Sequence, residues 1–203
     1  MNRRFYRCFA CVLLSFGFLE ISAKPSAWAA DPVAGLAIGD AAPDFSLPIV
    51  GKDEYLSLKE ANQAGPVVII VLRGFPGYQC PLCSQQVGAF VNRAAALAKV
   101  AKKVILVYPG EVAMLDKHAE EFLASRKLPA PLVLVRDPDM KLVSDYGIRW
   151  NKTNETAYPA AFVIDKNGRV KWSKISDSHA GRASVAEVIT ELGKQVSPFA
   201  PRR

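Results

Sequence analysis

Histidine and cysteine are scarce in this chain: two histidines and four cysteines among 203 residues. A closed structural zinc site needs four ligands. His118 and His179 stand far apart, and the pair Cys80 and Cys83 supplies only two. There is no Gly-rich phosphate loop and no flavin or haem signature, so no cofactor is read from the sequence. There is no dense basic stripe with interleaved aromatics, which argues against nucleic acid as a partner. No internal repeat or low-complexity linker divides the chain, whose length suits one domain with a full core and hardly two. Half of the residues are apolar and 22% are charged, a globular composition.

The amino-terminal segment reads as a secretory leader. Arg3, Arg4 and Arg7 precede an apolar run, Phe9 to Leu19, of 11 residues. That run is too short to span a bilayer comfortably. Ala27-Trp28-Ala29 places small residues where a signal peptidase reads them. The expected organisation is a signal peptide at 1–29, a flexible lead-in at 30–37, one domain at 38–196 and a tail at 197–203. The alternative, an uncleaved anchor, is opposed by Glu20 and Lys24, which close the apolar run early. Loss of 1–29 removes four cations and Glu20, taking the formal charge from +7 to +4. It also removes Cys8 and Cys11. The exported chain then keeps Cys80 and Cys83 alone, in an oxidising compartment and with no other thiol to pair with.

Periodicity yields an alternating α/β order. "APDFSLPIV" and "EYLSLKE" read as short strands about the turn Gly51-Lys52-Asp53. Val67 to Leu72 is a continuous aliphatic run suited to a strand buried on both faces. Pro81 opens a helix with Val87, Phe90, Val91, Ala94 and Ala98 on its apolar face. Lys103 to Tyr108 is the next strand and Met114 to Arg126 the next helix. A strand at 132–135 follows, then a short helix capped from Asp137-Pro138 and ending at Gly147. Asn167-Gly168 marks a β-hairpin. Ser184 and Glu187 form a capping box for a last helix. Buried strands joined by helices require crossovers and a mainly parallel core. The expected architecture is a three-layer α/β sandwich with an antiparallel edge.

Cys80 and Cys83 stand where the first buried strand meets its helix. In open α/β sheets, reactive sites form at the carboxyl ends of strands. There the free backbone N–H groups and the helix dipole favour a thiolate. The second thiol, one turn on, can close a disulfide. Three readings remain open at this point: half a zinc site, a structural bridge across a loop too short to stabilise much, and a redox pair. Tyr158-Pro159 directly precedes the strand Ala160 to Asp165. A cis bond there would carry the Tyr158 backbone past the cysteines, and a trans bond would make it an ordinary strand start.

Taken together, "GDAAPDFSLP", "PGYQCPLC", "DPDMKLVSDYGI" and "YPAAFVIDKNGRV" resemble the thioredoxin-like superfamily. Within it they are most similar to the peroxiredoxin branch, the alkyl hydroperoxide reductase and thiol-specific antioxidant family, over roughly Ile38 to Val196. The resemblance implies a three-layer thioredoxin-like fold, with a mixed central sheet flanked by helices and an N-terminal peroxiredoxin-type β extension. Two motifs overlap at the active loop. Peroxiredoxin spacing from Pro76 gives Cys83 the peroxide-attacking position, with Cys80 in place of a hydroxyl residue. Thioredoxin spacing makes Cys80 the exposed nucleophile, Cys83 the resolving thiol and Pro159 the proline beside them. Peroxiredoxins also carry an arginine near the start of the strand "AAFVID", where this chain has Pro159. Arg73 and Arg149 are the candidate substitutes, each also readable as a solvated charge or ion pair. The thioredoxin match lacks a buried acid on the strand Val67 to Leu72.

The resemblance therefore implies an enzyme, a thiol-dependent oxidoreductase cycling between Cys80/Cys83 dithiol and disulfide. Its substrate is a hydroperoxide or a protein disulfide, and its reductant an external dithiol. Pro76, Tyr78, Tyr158 and Pro159 are the supporting residues. No metal, nucleic acid or stable membrane association after leader removal is expected. A binding module with an inert bridge is the non-enzymatic alternative. Phe75 and Tyr78 are candidates for an apolar rim or for packing.

Overall fold

The structure, a computed structural model, describes residues 34–196. The expected leader at 1–29 and tail at 197–203 lie outside the described residues. Among those described, no helix is long and apolar enough to cross a membrane.

The chain opens with a two-stranded antiparallel sheet, the β extension, made of β1 (Ser46–Pro48) and β2 (Tyr55–Ser57). The expectation of one strand across "EYLSLKE" is corrected here, because Leu58–Asn62 forms helix α1. Ser57 stops the strand and starts the helix: its Oγ accepts from the Glu60 N–H at 3.1 Å. Ser57-x-x-Glu60 has the spacing of a helix-start box.

Next comes β3 (Val67–Val71), buried along its whole length. Helix α2 (Pro81–Asn92) follows, and a short α3 (Ala94–Leu97). These were expected as one helix. The backbone breaks at Arg93 (φ −114°, ψ 15°), so the buried face continues through Leu97 and leaves Ala98 exposed. Strand β4 (Lys103–Gly110) leads to α4 (Leu115–Leu123). Helix α4 is shorter than expected because Ala124 and Ser125 turn left-handed, at φ 46° and 62°. The Ala124 N–H closes that end on the Glu120 and Glu121 carbonyls. Strand β5 (Leu132–Pro138), helix α5 (Lys141–Asp145), the hairpin β6 (Ala160–Ile164) and β7 (Val170–Ile175), and α6 (Val185–Val196) complete the chain.

The main sheet runs β5-β4-β3-β6-β7. β3, β4 and β5 are parallel, β6 is antiparallel to β3, and β7 to β6. Two apolar clusters form, built from alternate side chains of the strands. One gathers Val68, Ile70, Leu106 and Val163 with α2, α3, α4 and α6. The other gathers Ile69, Val71, Ile105 and Phe162 with α1, α5 and the β extension. This is the expected three-layer mixed α/β fold.

The topology puts β3 at the centre of the sheet, so the segment after it emerges mid-edge, beside the end of β4. The Leu72 N–H donates to the Val107 carbonyl at 3.0 Å and the Phe75 N–H to the Pro109 carbonyl at 3.1 Å. Gly74 makes this close approach feasible. Its φ is +67°, and a Cβ there would lie 1.8 Å from the Pro109 carbonyl oxygen. Glycine meets both demands.

Candidate active site

Cys80 is the N-cap of α2, and Pro81 fills the first helical position. A serine or aspartate oxygen normally accepts the N–H of the third helical residue at such a cap. Here the acceptor is sulfur: the Cys83 N–H donates to Cys80 Sγ at 3.4 Å. A thiolate accepts that bond better than a thiol, and the helix dipole favours the same charge. Cys83 lies one turn into the helix, fully buried, and its Sγ accepts from the Arg73 N–H at 3.3 Å. Cys80 is 4% exposed, so its sulfur sits just beneath the surface. Both thiols are free.

The two sulfurs divide their acidity. The Cys83 thiol, hydrogen-bonded to Cys80, draws the Cys80 thiol down to about 5, against the opposing effect of burial. The Cys83 backbone N–H and the charges of Arg182 and Arg73 act in the same direction. Cys83 is pushed up, by its hydrogen bond to Cys80 and by burial. The pair titrates as a unit, with the negative charge on Cys80.

The arginine beside this anion is Arg182, which stands just before α6. Its Nη2 lies 3.7 Å from Cys80 Sγ. Two further bonds aim it: Nη1 to Gln86 Oε1 at 3.1 Å and Nε to the His179 carbonyl at 2.9 Å. Arg73 is 2% exposed and paired with Glu155, Nε to Oε2 at 2.7 Å. It also donates to the Asn154 carbonyl at 2.6 Å and to the Tyr78 hydroxyl. Arg73 is thus a buried ion pair, one of the two readings of its sequence position. Arg149 serves structure as well, donating to the carbonyls of Trp150, Glu155 and Thr156.

The remaining expected residues fall in different places. Tyr78 is half exposed, and its ring lies under the Arg73 guanidinium, 4.8 Å from ring centroid to Cζ. Phe75 stacks on His118 with ring centroids 3.5 Å apart. Pro76, with Phe75 and Gly77, lines a cavity of about 380 Å³ that neither cysteine lines. Tyr158 stacks on Trp150 at 4.4 Å and packs with the cluster that does not contain the cysteines. The peptide bond before Pro159 is trans, and the cis bond among the described residues is Ala130–Pro131. The Pro159 carbonyl accepts the Ser176 N–H at 2.9 Å. A shallow groove of about 270 Å³ lies between α2 and the turn before α6, lined by Leu82, Phe90 and the Arg182–Val185 turn; Arg182 lines it, and the cysteines do not. Among the described residues no group of three or more Cys, His, Asp or Glu side chains gathers at metal-binding range.

Sequence reasoning missed Arg182, Glu155 and the role of His179. Arg182 is 102 residues from Cys80. The local signal nearby, the Ser184–Glu187 box, fixes where α6 starts and therefore where Arg182 stands.

Comparison with known proteins adds a family and a fold. A model of the AhpC/TSA family matches residues 38–173. No curated protein matches the chain. Among solved structures, the peroxidoxin BcpB of Mycobacterium tuberculosis is 22% identical, with a TM-score of 0.60 over 79% of this chain and 98% of its own. The reduced Prx3 of Vibrio vulnificus in complex with hydrogen peroxide is 14% identical, with a TM-score of 0.64 over 78% and 96%. A yeast mitochondrial 1-Cys peroxiredoxin, whose thiol is resolved via glutathione/thioredoxin systems, is 15% identical, with a TM-score of 0.61 over 76% and 73%. At these identities the likeness speaks for the fold.

Proposed function

This chain belongs to the AhpC/TSA family and is a thiol-dependent oxidoreductase, and from that premise we propose that it reduces hydroperoxides with Cys80 as the attacking thiolate and Cys83 as the resolving thiol. The observation that carries the assignment is the N-cap geometry, with Arg182 placed against Cys80 and Cys83 sealed behind it. The peroxiredoxin spacing from Pro76 would give the attack to Cys83. Full burial and a raised pKa speak against Cys83 as the first nucleophile.

The cycle balances as follows. The Cys80 thiolate attacks one peroxide oxygen, an S–O bond forms, and the O–O bond breaks. The departing alkoxide takes a proton and leaves as alcohol, or as water from hydrogen peroxide. Cys80 is now a sulfenic acid. Cys83 attacks Cys80 Sγ, an S–S bond forms, and the sulfenic hydroxyl leaves as water with the Cys83 proton. Two electrons have passed from the dithiol to the peroxide. An external thiol reductant, one dithiol of the thioredoxin type or two glutathione monothiols, of the systems named for the yeast relative, returns two electrons and two protons and restores the pair. Arg182 stabilises the thiolate before attack.

The test is a sulfenic-acid trap with limiting peroxide. Cys83→Ser should accumulate trapped Cys80, and Cys80→Ser should react no faster than a free thiol. Trapped Cys83 in Cys80→Ser, formed at the parental rate, would reverse the roles.

The same acidic, outermost Cys80 also favours a second reading, thiol–disulfide exchange with a protein partner. Mixed disulfides captured by Cys83→Ser would support it, and their absence alongside fast peroxide reduction would dismiss it. The place of work is proposed to be outside the cytoplasm, periplasmic or secreted, on the strength of the leader pattern at 1–29. An exported chain beginning at Ala30 would support that placement, and an unprocessed cytoplasmic chain would refute it.

A further inference from the structure

Glu155 touches neither sulfur, yet it joins the two elements that surround them. Its Oε2 holds Arg73 at 2.7 Å and its Oε1 meets His179 Nε2 at 2.9 Å. Arg73 stands on the segment leaving β3 and gives its backbone N–H to Cys83. His179 stands in the turn before α6 and accepts, through its carbonyl, the Nε of Arg182. The Glu155 side chain is 11% exposed and that of Arg73 3%. This is a nearly dry ion pair, where charges act over longer distances than in water. The charged or titratable groups acting on the cysteines are Arg73 after β3, Tyr108 from β4 and Arg182 before α6, and Tyr78, Glu155 and His179 stand behind them on Arg73 and its partner. Tyr108 is neutral, its hydroxyl donating to Gln79 Oε1 at 2.7 Å.

Arg182 is bound to neutral groups and to Cys80, so its charge is spent on the sulfur. Arg73 carries a second charge near the pair, and its ion pair with Glu155 offsets part of it. We propose that Glu155 is a positioning residue that, by offsetting part of the Arg73 charge, sets how strongly the Cys80 thiolate is held and thereby the reduction potential of the Cys80/Cys83 pair. This rests on the assignment of that pair as the redox centre. Without the carboxylate, Arg73 would add its full charge to that of Arg182. The thiolate would be more stable, the reduced form favoured, and the disulfide a stronger oxidant.

The experiment compares the full chain with Glu155→Gln, Glu155→Asp and the double variant Arg73→Gln/Glu155→Gln. Thiolate absorbance is titrated against pH, the potential is set by equilibration with reduced and oxidised glutathione, and thermal melts report folding. Glu155→Gln should raise the thiolate fraction on the acid limb about tenfold. If the change in thiolate stability passes fully into the two-electron equilibrium, the potential rises by about 30 mV. Glu155→Asp keeps the charge and should shift both quantities less, in the same direction. The double variant should return both towards the parent, since it removes the pair as a unit. It also avoids an uncompensated buried charge, so it should fold at least as well as Glu155→Gln. An unchanged titration and potential in Glu155→Gln, a Glu155→Asp shifted as far as Glu155→Gln, or a double variant shifted as far as the single, would overturn the proposal. A parent chain in which Cys80 titrates as an ordinary thiol would instead overturn the underlying assignment.

Discussion

Two helices of this chain start on the same three-residue step with opposite consequences. At α6, Ser184 Oγ accepts the Glu187 N–H at 3.2 Å, and the Glu187 carboxylate accepts the Ser184 N–H at 2.8 Å. At α2, Cys80 Sγ accepts the Cys83 N–H, and the Cys83 thiol bonds back to the Cys80 sulfur. Both link the cap to the third helical residue, but only the α6 box is reciprocal; at α2 both bonds end on the Cys80 sulfur, and Cys83 Sγ accepts from the Arg73 N–H instead. In the first, oxygen satisfies the helix end, and the charge belongs to Glu187, held at about 2 by Lys174, with the Ser184 backbone and hydroxyl adding to it. In the second, the charge falls on the cap atom itself, which is a nucleophile. The bond from the third helical residue's N–H to the cap side chain is shared, and the element at the cap decides whether it is structural or reactive.

Exchanging that element breaks the comparison most severely. Cys80→Ser keeps a capping atom, so the fold should persist with a cooperative melt. Peroxide turnover should fall by at least about a thousandfold, because the nucleophile is gone. A melt and a peroxide-consumption assay on the same sample check both halves.

The next effect concerns the cation that only α2's box possesses. Arg182→Gln should raise the Cys80 pKa and lower the rate of peroxide reaction near pH 6 by about tenfold. Much of that loss should be recovered at higher pH, where the thiol ionises without help. A rate–pH profile by rapid mixing decides it. A uniform loss at every pH would mean that Arg182 acts on the peroxide instead.

The third effect is on stability. The folded pKa of Cys80, about 5, lies below the ordinary thiol value of about 8.5. The unfolded chain therefore binds more protons between these values, and the reduced protein should gain stability as pH rises through that window. The gain should be fully present above about 8.5 and lost as pH falls through about 5. Denaturant midpoints of reduced parent and Cys80→Ser check it, the latter having the flatter profile. The smallest effect sits at the other helix: Ser184→Ala should cost about 1 kcal/mol and leave the peroxide rate near that of the parent.

Much of the architecture was readable because local chemistry and burial agreed. The run Val67–Val71, the Asn167-Gly168 turn and the Ser184–Glu187 box each carry their own cause, and each forms where periodicity puts it. Helix α1 escaped because Tyr55–Ser57 alternates like a strand and the Ser57–Glu60 box lies inside the same run. The break at Arg93 escaped because the alanines that follow it, Ala94 to Ala96, carry almost no phase. Cys80 and Cys83 were legible as a pair, and their order was not. Two family spacings compete there, and the deciding contacts come from Arg182 and from the depth of Cys83. Neither contact has a local trace. Glu155 and Arg73 likewise meet only because β6 returns antiparallel beside β3.

The most direct trial is the thiolate titration of the reduced chain, followed by ultraviolet absorbance in the parent and in both single serine variants. One thiolate should appear near pH 5 in the parent, persist as the more acidic sulfur in Cys83→Ser, and vanish in Cys80→Ser. Two thiols titrating together near about 8.5, or the acidic one surviving in Cys80→Ser, would contradict the account.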